Sequence, residues 1–391
     1  MLSVLAVVGC AKTEHPREAA DSGLALADSA ALPPPVAGNL RFRAVSAGHQ
    51  HTCALAVDSL AYCWGYAASG ALGAAEVEQA CQEMDGTPFA CAYAPTRVAA
   101  NLRFAAIAAG GQHTCALTAE GRAVCWGASA MLGAGLSGVA PHPEPDPVAG
   151  DRRFTAITAG YVHTCALAPD GVAWCWGDNA SGQIGNGSTM PAAVPAPVGG
   201  QRFVAVAAGG EFTCGLIRSG AAYCWGDNHF GRLGLGTVDT VPHPEPAPVT
   251  GQLVFRAIDA GGAQTCAVTT RGRVHCWGQP YWLLGGPSSV PLLVELSQVA
   301  SSVSVGGGYA CAMLEGGRFS CWGRLEIVGV DIEEDEDSAG VAQRAQPALI
   351  TGRYRAVSAG PAHACGLQSD GVVRCWGDDY FGQLGAGRAP R

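Results

Sequence analysis

Cysteine is the residue type whose spacing says most about chemistry. Sixteen of the 17 cysteines form eight pairs with nine residues between partners. The pairs are Cys53 with Cys63, Cys81 with Cys91, Cys115 with Cys125, Cys165 with Cys175, Cys214 with Cys224, Cys266 with Cys276, Cys311 with Cys321, and Cys365 with Cys375. Such a set could bind zinc or close disulfides. Structural zinc sites draw paired ligands from positions about two to four residues apart, a spacing that no pair here has. An even set at one constant spacing reads as eight disulfides formed in an oxidising compartment, with a structural role.

Histidine is the next candidate. His51, His113, His163 and His363 recur at one position of a repeat described below, with Phe212, Gln264 and Ala310 replacing it elsewhere. Side chains repeated once per structural unit do not converge on one point. The expected role is a hydrogen bond to a neighbouring strand, and a metal shared by several units is the alternative. Neither a Gly-x-Ser-x-Gly nucleophile turn nor a phosphate-cradling Gly-x-x-x-x-Gly-Lys occurs. Asp178 and Asp227, each followed by Asn, fit Asx turns better than acid–base pairs. No catalytic, cofactor or resident-metal residues are therefore expected.

Two further groups stand out. Residues 331–337 are a dense acidic run without the residue order of a helix–loop–helix calcium site. A solvated loop is the plain reading, with weak Ca²⁺ binding or a basic partner as alternatives. Aromatic residues are more suggestive: Tyr66, His229, Phe230, Tyr281, Trp282, Tyr380 and Phe381 all fall in the loop that follows a Trp-Gly pair. Aromatics on a rigid rim suit partner binding; packing of each ring on its own unit is the other reading.

Composition removes whole classes of function. Charged residues are 14% of the chain and hydrophobic residues 48%, with a net charge of −9. That leaves ample apolar surface to bury and excludes disorder. No apolar run approaches the roughly 20 residues of a membrane span. Gly (55 residues) and Pro (24) punctuate the sequence throughout, which excludes long helices. Lys12 is the only lysine, and the arginines lie singly or in pairs along the sequence. With an isoelectric point near 5.5, no basic stripe for nucleic acid is expected.

The N-terminus carries the odd cysteine. Residues 2–9 are apolar, and Val7-Val8-Gly9 precede Cys10. This resembles the lipobox of bacterial lipoproteins, although no basic segment leads it. The resemblance implies a signal segment over 1–9 and lipidation at Cys10; a buried apolar segment with an ordinary cysteine is the alternative. Residues 10–32 read as a flexible tether stiffened at its end by Pro33-Pro34-Pro35. The expected location is outside the cytoplasm, with the membrane reached through a lipid anchor only.

Seven copies of one unit must position all these residues. The clearest copy, residues 154–187, reads FTAITAGYVHTCALAPDGVAWCWGDNASGQIGNG, and first cysteines of successive copies lie 45 to 62 residues apart. In Ala168-Pro-Asp-Gly-Val172, Pro suits the first turn position and Gly the φ > 0 position. If Ala168 faces Val172, antiparallel register sets Cys165 opposite Cys175, within disulfide reach. Each unit offers strands at Phe-x-Ala-Ile, His-Thr-Cys-Ala-Leu and x-x-Cys-Trp-Gly. A fourth lies near the Pro-x-Pro-Val segment, as in Pro195-Ala-Pro-Val198. Seven four-stranded antiparallel units describe an all-β, seven-bladed β-propeller. The last copy lacks its fourth strand, while Pro34-Pro-Val36 precedes the first. An N-terminal strand should therefore complete the seventh blade and close the ring. The propeller spans 33–391. Two insertions interrupt it, near 74–94, a loop stapled by Cys81 and Cys91, and near 331–343.

The succession Ala-Gly, His-Thr-Cys-Ala-Leu, Cys-Trp-Gly-Asp-Asn and Gly-Gln-Ile/Leu-Gly resembles the repeat of the regulator of chromosome condensation family, whose members are seven-bladed propellers. Trp is followed by Gly in every copy, unlike the WD type. The last motif decays to Met131-Leu132-Gly133 in the second copy and to Ile327-Val328-Gly329 in the sixth, so those rims should be irregular. Among relatives, a small-GTPase exchange factor is a poor precedent for an exported, disulfide-bonded chain. An inhibitor that grips β-lactamases with the loops of one face is a better one. The resemblance implies a monomeric binding module that presents one face to a protein or glycan partner at the cell envelope. The rival reading is an envelope carbohydrate-active enzyme, a lyase or hydrolase, with its site at the mouth of the central channel.

Overall fold

The computed structural model describes residues 32–74, 77, 79–82, 87–136, 140–279, 286–324 and 344–387. Cys10, the tether, Tyr281, Trp282 and the acidic run lie outside the described residues. Seven antiparallel sheets follow one another, and outside blade 1 each strand pairs with its sequence neighbour. In the third blade the strands are Ala156–Ala159, His163–Leu167, Ala173–Gly177 and Ala192–Pro197, in that spatial order. First strands of neighbouring blades touch around the whole ring, so they line its centre.

Closure is as expected. Pro35 bridges antiparallel to Arg374, and Val36 N–H donates to the Val373 carbonyl at 2.9 Å. The N-terminal segment thus takes the outer-edge place of blade 7, whose sheet otherwise has three strands, through a single bridge.

The hairpin register is also as expected, with Cys165 facing Cys175. One disulfide staples each blade. Cys53 is bonded to Cys63, Cys115 to Cys125, Cys165 to Cys175 and Cys214 to Cys224. Cys266 is bonded to Cys276, Cys311 to Cys321 and Cys365 to Cys375. These seven bridges share a Cα–Cα distance of 4.1 Å, the close spacing of a non-hydrogen-bonded antiparallel pair. The eighth bridge joins Cys81 to Cys91 in the first insertion.

That insertion differs from the expected loop. Gln79–Gln82 pairs with Pro88–Arg97, adding a fifth strand to blade 1. Pro88–Arg97 also pairs with Ala61–Tyr66 and so serves as the fourth strand of that blade. The extra hairpin forms because the first part of this strand runs past the blade edge, where its free backbone groups take a partner.

Proline is abundant in the outer strands, as in Pro141–Pro147 (PHPEPDP) and His243–Pro248 (HPEPAP). Only an edge strand tolerates it, because the missing N–H faces away from the ladder. Alternate prolines also leave that edge unable to template another strand.

The core is a stack of ring pairs. The aromatic that opens a first strand packs on the tryptophan of its own blade, as with Phe42 and Trp64 (6.1 Å between centroids) and Phe203 and Trp225 (5.4 Å). The last Gly of the Gly-Gln-Leu-Gly element lies over the tryptophan of the next blade. Gly185 has φ +78°, and a Cβ there would approach Trp225 Nε1 to 2.5 Å. Only glycine fits such a position.

Candidate functional site: the loop face of the propeller

Antiparallel order puts two sets of connections on one face: the turns between first and second strands, and the loops after Trp-Gly. This is the loop face. The opposite, turn face carries the hairpins between second and third strands and the connections between blades.

A belt of buried side chains lies beneath the loop face. His51, His113, His163 and His363 are buried, and their Nε2 atoms lie 2.8, 2.7, 2.8 and 2.6 Å from Oγ1 of Thr114, Thr164, Thr213 and Thr52 of the next blade. Three of these threonines donate their own proton onward: Thr52 to the Gln383 carbonyl, Thr114 to Ala71 and Thr213 to Gln183. Their oxygens must therefore accept from Nε2–H, and burial keeps these imidazoles neutral. The same carbonyls accept Nε1–H of Trp64, Trp126 and Trp225. Burial holds the histidines far below their ordinary pKa, at about 3 for His51, His163 and His363 and about 4 for His113.

The sixth blade corrects one alignment. Tyr309, not Ala310, takes the histidine position, since it faces Gly323 as His163 faces Gly177. Its hydroxyl donates to the His363 carbonyl at 2.7 Å, and Gln264 Nε2 of blade 5 donates to the Tyr309 carbonyl at 2.8 Å. Phe212 has no polar side-chain atom to make such a bond, and Arg232 lies over its ring instead. The belt is thus a set of blade-to-blade clasps. No group of three or more His, Cys, Asp or Glu that could hold a metal occurs among the described residues.

Above the belt, the ring centre opens as a cavity of about 290 Å³. The Ala-Gly ends of the first strands form most of its wall, with Val305, Pro361, His49 and Tyr161. His49 and Tyr161 meet edge to face at 5.0 Å. Glycine is required here by close approach rather than by a turn. A Cβ on Gly110 would sit 2.5 Å from the His113 ring and 2.7 Å from the Gly160 carbonyl of the next blade. Backbone bonds cross the same gaps, His49 N–H to Gly110 and Gly111 N–H to Gly160, both at 3.1 Å.

The aromatic residues of the loops divide into two places. Tyr66, Tyr380 and Phe381 come together where blades 7 and 1 meet. Phe381 stands 5.2 Å from Tyr66 and 4.9 Å from Tyr380. Phe89, from the extra hairpin, completes the cluster at 5.5 Å from Phe381 and stacks on Tyr380 at 6.2 Å. All four are half-buried. Phe89 was missed by sequence reasoning because it belongs to no repeat; its position beside Cys91 in the stapled insertion was the available signal.

His229 and Phe230 lie on blade 4, across the ring. Asp227 there accepts from Arg232 at 3.0 Å and from His229 at 2.9 Å. Arg232 replaces the glutamine that in blades 3 and 7 bonds Asp178 and Asp378. Phe230 is 37% exposed and has φ +61°, a left-handed conformation costing roughly 1–2 kcal/mol for a residue with a Cβ. Asp178 and Asp227 accept backbone N–H bonds from two residues on, the Asx-turn role expected of them, and Asp378 does the same. In the second blade the decayed motif forms a 3₁₀ turn over Ser129–Met131, and Trp176 Nε1 has no partner among the described residues.

The human WBSCR16 crystal structure is similar with a TM-score of 0.73 at 18% identity, over 86% of this chain and 90% of that one. Prp20p from Saccharomyces cerevisiae, described with its binding properties to Gsp1p and histones, gives 0.67 at 20% identity over 86% and 82%. The CRINKLY WD40 ectodomain of the Arabidopsis thaliana receptor kinase ACR4 gives 0.52 at 20% over 86% and 98%. These likenesses concern the fold. No curated protein matches. The regulator of chromosome condensation (RCC1) repeat matches residues 354–383, and the RCC1-like domain matches residues 12–283. The chain belongs to the RCC1-like domain family.

Proposed function

We propose that this propeller is an extracytoplasmic binding module whose loop face grips a protein partner. The aromatic cluster of Tyr66, Phe89, Tyr380 and Phe381 carries this reading. Four half-buried rings meet at a blade junction on a disulfide-stapled frame. Rigid aromatics of this kind are what binding hot spots use, because little side-chain freedom is lost on contact. His229 and Phe230 form a second contact point, and Tyr281 and Trp282 belong to the same set by repeat position. Eight disulfides suit an oxidising compartment, and lipidation at Cys10 would hold the module at the envelope. Prp20p, of the same fold, is described as binding proteins.

The enzyme reading requires an acid–base pair or a cluster of charged groups at the channel mouth. The described lining offers His49 and Tyr161 among Gly, Ala, Val305 and Pro361, which favours a docking surface over a reaction site. The test is affinity capture from envelope extracts with the wild-type chain, a Tyr380→Ala/Phe381→Ala variant and a Tyr281→Ala/Trp282→Ala variant. Loss of one specific protein from the first variant supports the reading. Equal recovery of every captured protein by all three chains overturns it.

A further inference from the structure

The arginines that look scattered in sequence are gathered by the fold. Arg41, Arg103, Arg153, Arg202 and Arg353 each stand directly before the aromatic that opens a first strand, and all five are exposed. They lie at five of the seven blade junctions of the turn face. The stems of Arg41 and Arg202 rest beside the hairpin glycines Gly371 and Gly171 of the preceding blade. Nearer the centre, Arg43, Arg256 and Arg355 donate to the first-strand carbonyls of Phe104, Ala300 and Phe42 in the next blade. The hairpins themselves add Arg122, Arg218, Arg271, Arg273 and Arg318.

These thirteen arginines, joined by Arg97 and Arg152 of the connections, stand against seven carboxylates on the same face. The hairpins contribute Asp58, Glu120, Asp170, Glu315 and Asp370, and the connections Asp151 and Glu295. The described loop face carries the opposite balance, with Asp178, Glu211, Asp227, Asp239, Asp378 and Asp379 against Arg232 and Arg324.

A second feature shares the turn face. At the two junctions without that arginine stand Val254 and Val299, 47% and 43% exposed. Val57 (67%), Val204 (52%) and Leu102 (38%) project from the same side.

We propose that the turn face docks flat on an anionic phospholipid bilayer. Guanidinium forks match phosphate oxygens and stay charged at any physiological pH. Interleaved valines and a leucine can enter the boundary between headgroups and acyl chains, as interfacial membrane binders do. A ring of charges spread over a whole face fits a plane of many headgroups, whereas a linear polyanion would need a basic track. The orientation leaves the more acidic loop face pointing away from the bilayer and free for its own partner. No residue of the proposed protein-binding site takes part, so the two readings stand or fall separately.

The test is sedimentation of the full chain with vesicles of phosphatidylcholine alone or with 30% phosphatidylglycerol, in about 0.1 M salt, where charges act over roughly 10 Å. Binding at least 10-fold tighter to the anionic vesicles, abolished near 1 M salt, is expected. Replacing Arg41, Arg103, Arg153, Arg202 and Arg353 by Gln should weaken it about 100-fold or more. Replacing them by Lys should retain most of it, which separates charge from misfolding. Val254→Ser/Val299→Ser should weaken it several-fold at unchanged charge. Equal binding of the wild-type and five-Gln chains overturns the proposal, as does equal binding to the two vesicle types. It also falls if the wild-type chain ignores both vesicle types while binding heparin or single-stranded DNA, or stacks face to face with its own copies in place of binding lipid.

Discussion

On the loop face, the side chains set apart for contact are rings: Tyr66, Phe89, Tyr380 and Phe381 at one junction, His229 and Phe230 across the ring. On the turn face they are arginines with valines between them. Both faces arise from the same seven repeats, and the difference lies in how each is built. Loop-face rings sit in or beside the loops that follow Trp-Gly, between third and fourth strands, and in an inserted hairpin, where length varies and one junction can become unlike the others. Turn-face arginines sit at fixed repeat positions, so a preference at one position is multiplied around the ring. The first construction suits recognition of one particular shape, the second a uniform charged plane.

The largest expected effect separates the faces. The five-arginine-to-Gln chain should lose about 100-fold in affinity for anionic vesicles while capturing its loop-face partner undiminished. A parallel loss of both activities in a chain with native circular dichroism and unfolding midpoint would break the distinction. Next comes the converse variant. Tyr380→Ala/Phe381→Ala should weaken the protein partner by about 10- to 100-fold, the range of truncated aromatic hot spots, with vesicle binding unchanged.

A third perturbation should strike both faces together. His51, His113, His163 and His363 are held neutral by burial, with pKa values near 3 to 4. In the unfolded chain they take up protons below about 6.5. The unfolded state binds more protons between these limits, so stability is fully present above pH 6.5 and falls as pH drops toward 3 to 4. Each histidine contributes a slope of up to about 1.4 kcal/mol per pH unit. His113→Gln places at blade 2 the residue that blade 5 already uses, Gln264. Urea midpoints measured at pH 7.5, 6 and 4.5 should decline less steeply for that variant than for wild type. An identical decline would show that the belt does not couple to pH.

The smallest effect concerns Phe230. Its left-handed backbone should make Phe230→Gly more stable by about 1 kcal/mol or slightly less, read as a higher thermal midpoint. If Phe230 contacts the partner, the same variant captures less of it. A variant no more stable than wild type would remove the strain argument.

Much of this fold was legible because each repeat carries its own punctuation. Pro169-Asp-Gly171 sets the hairpin, the hairpin sets the register, and the register sets Cys165 against Cys175. The same logic sets Cys63 against Cys53 and Cys375 against Cys365 at the two ends of the ring. The Asp-Asn turns followed for the same reason. Legibility failed where local rules do not reach. The histidine position of the sixth copy is the exception: Tyr309 stands two residues before Cys311 as His163 does before Cys165, so spacing places it and strand pairing agrees. Phe89 joins Tyr66 and Phe381 through an insertion whose course no repeat dictates. The basic face escaped notice because its arginines lie about one repeat apart. The Arg-Phe or Arg-Tyr pair at five blade starts was the signal.

The most direct test of the loop face as the binding face is hydroxyl-radical footprinting of the chain alone and with its captured partner. The expected result is protection of Tyr66, Phe89, Tyr380 and Phe381, with Val57, Val254 and Val299 of the turn face oxidised as before. Protection confined to the turn face, or none at the four rings, would contradict it.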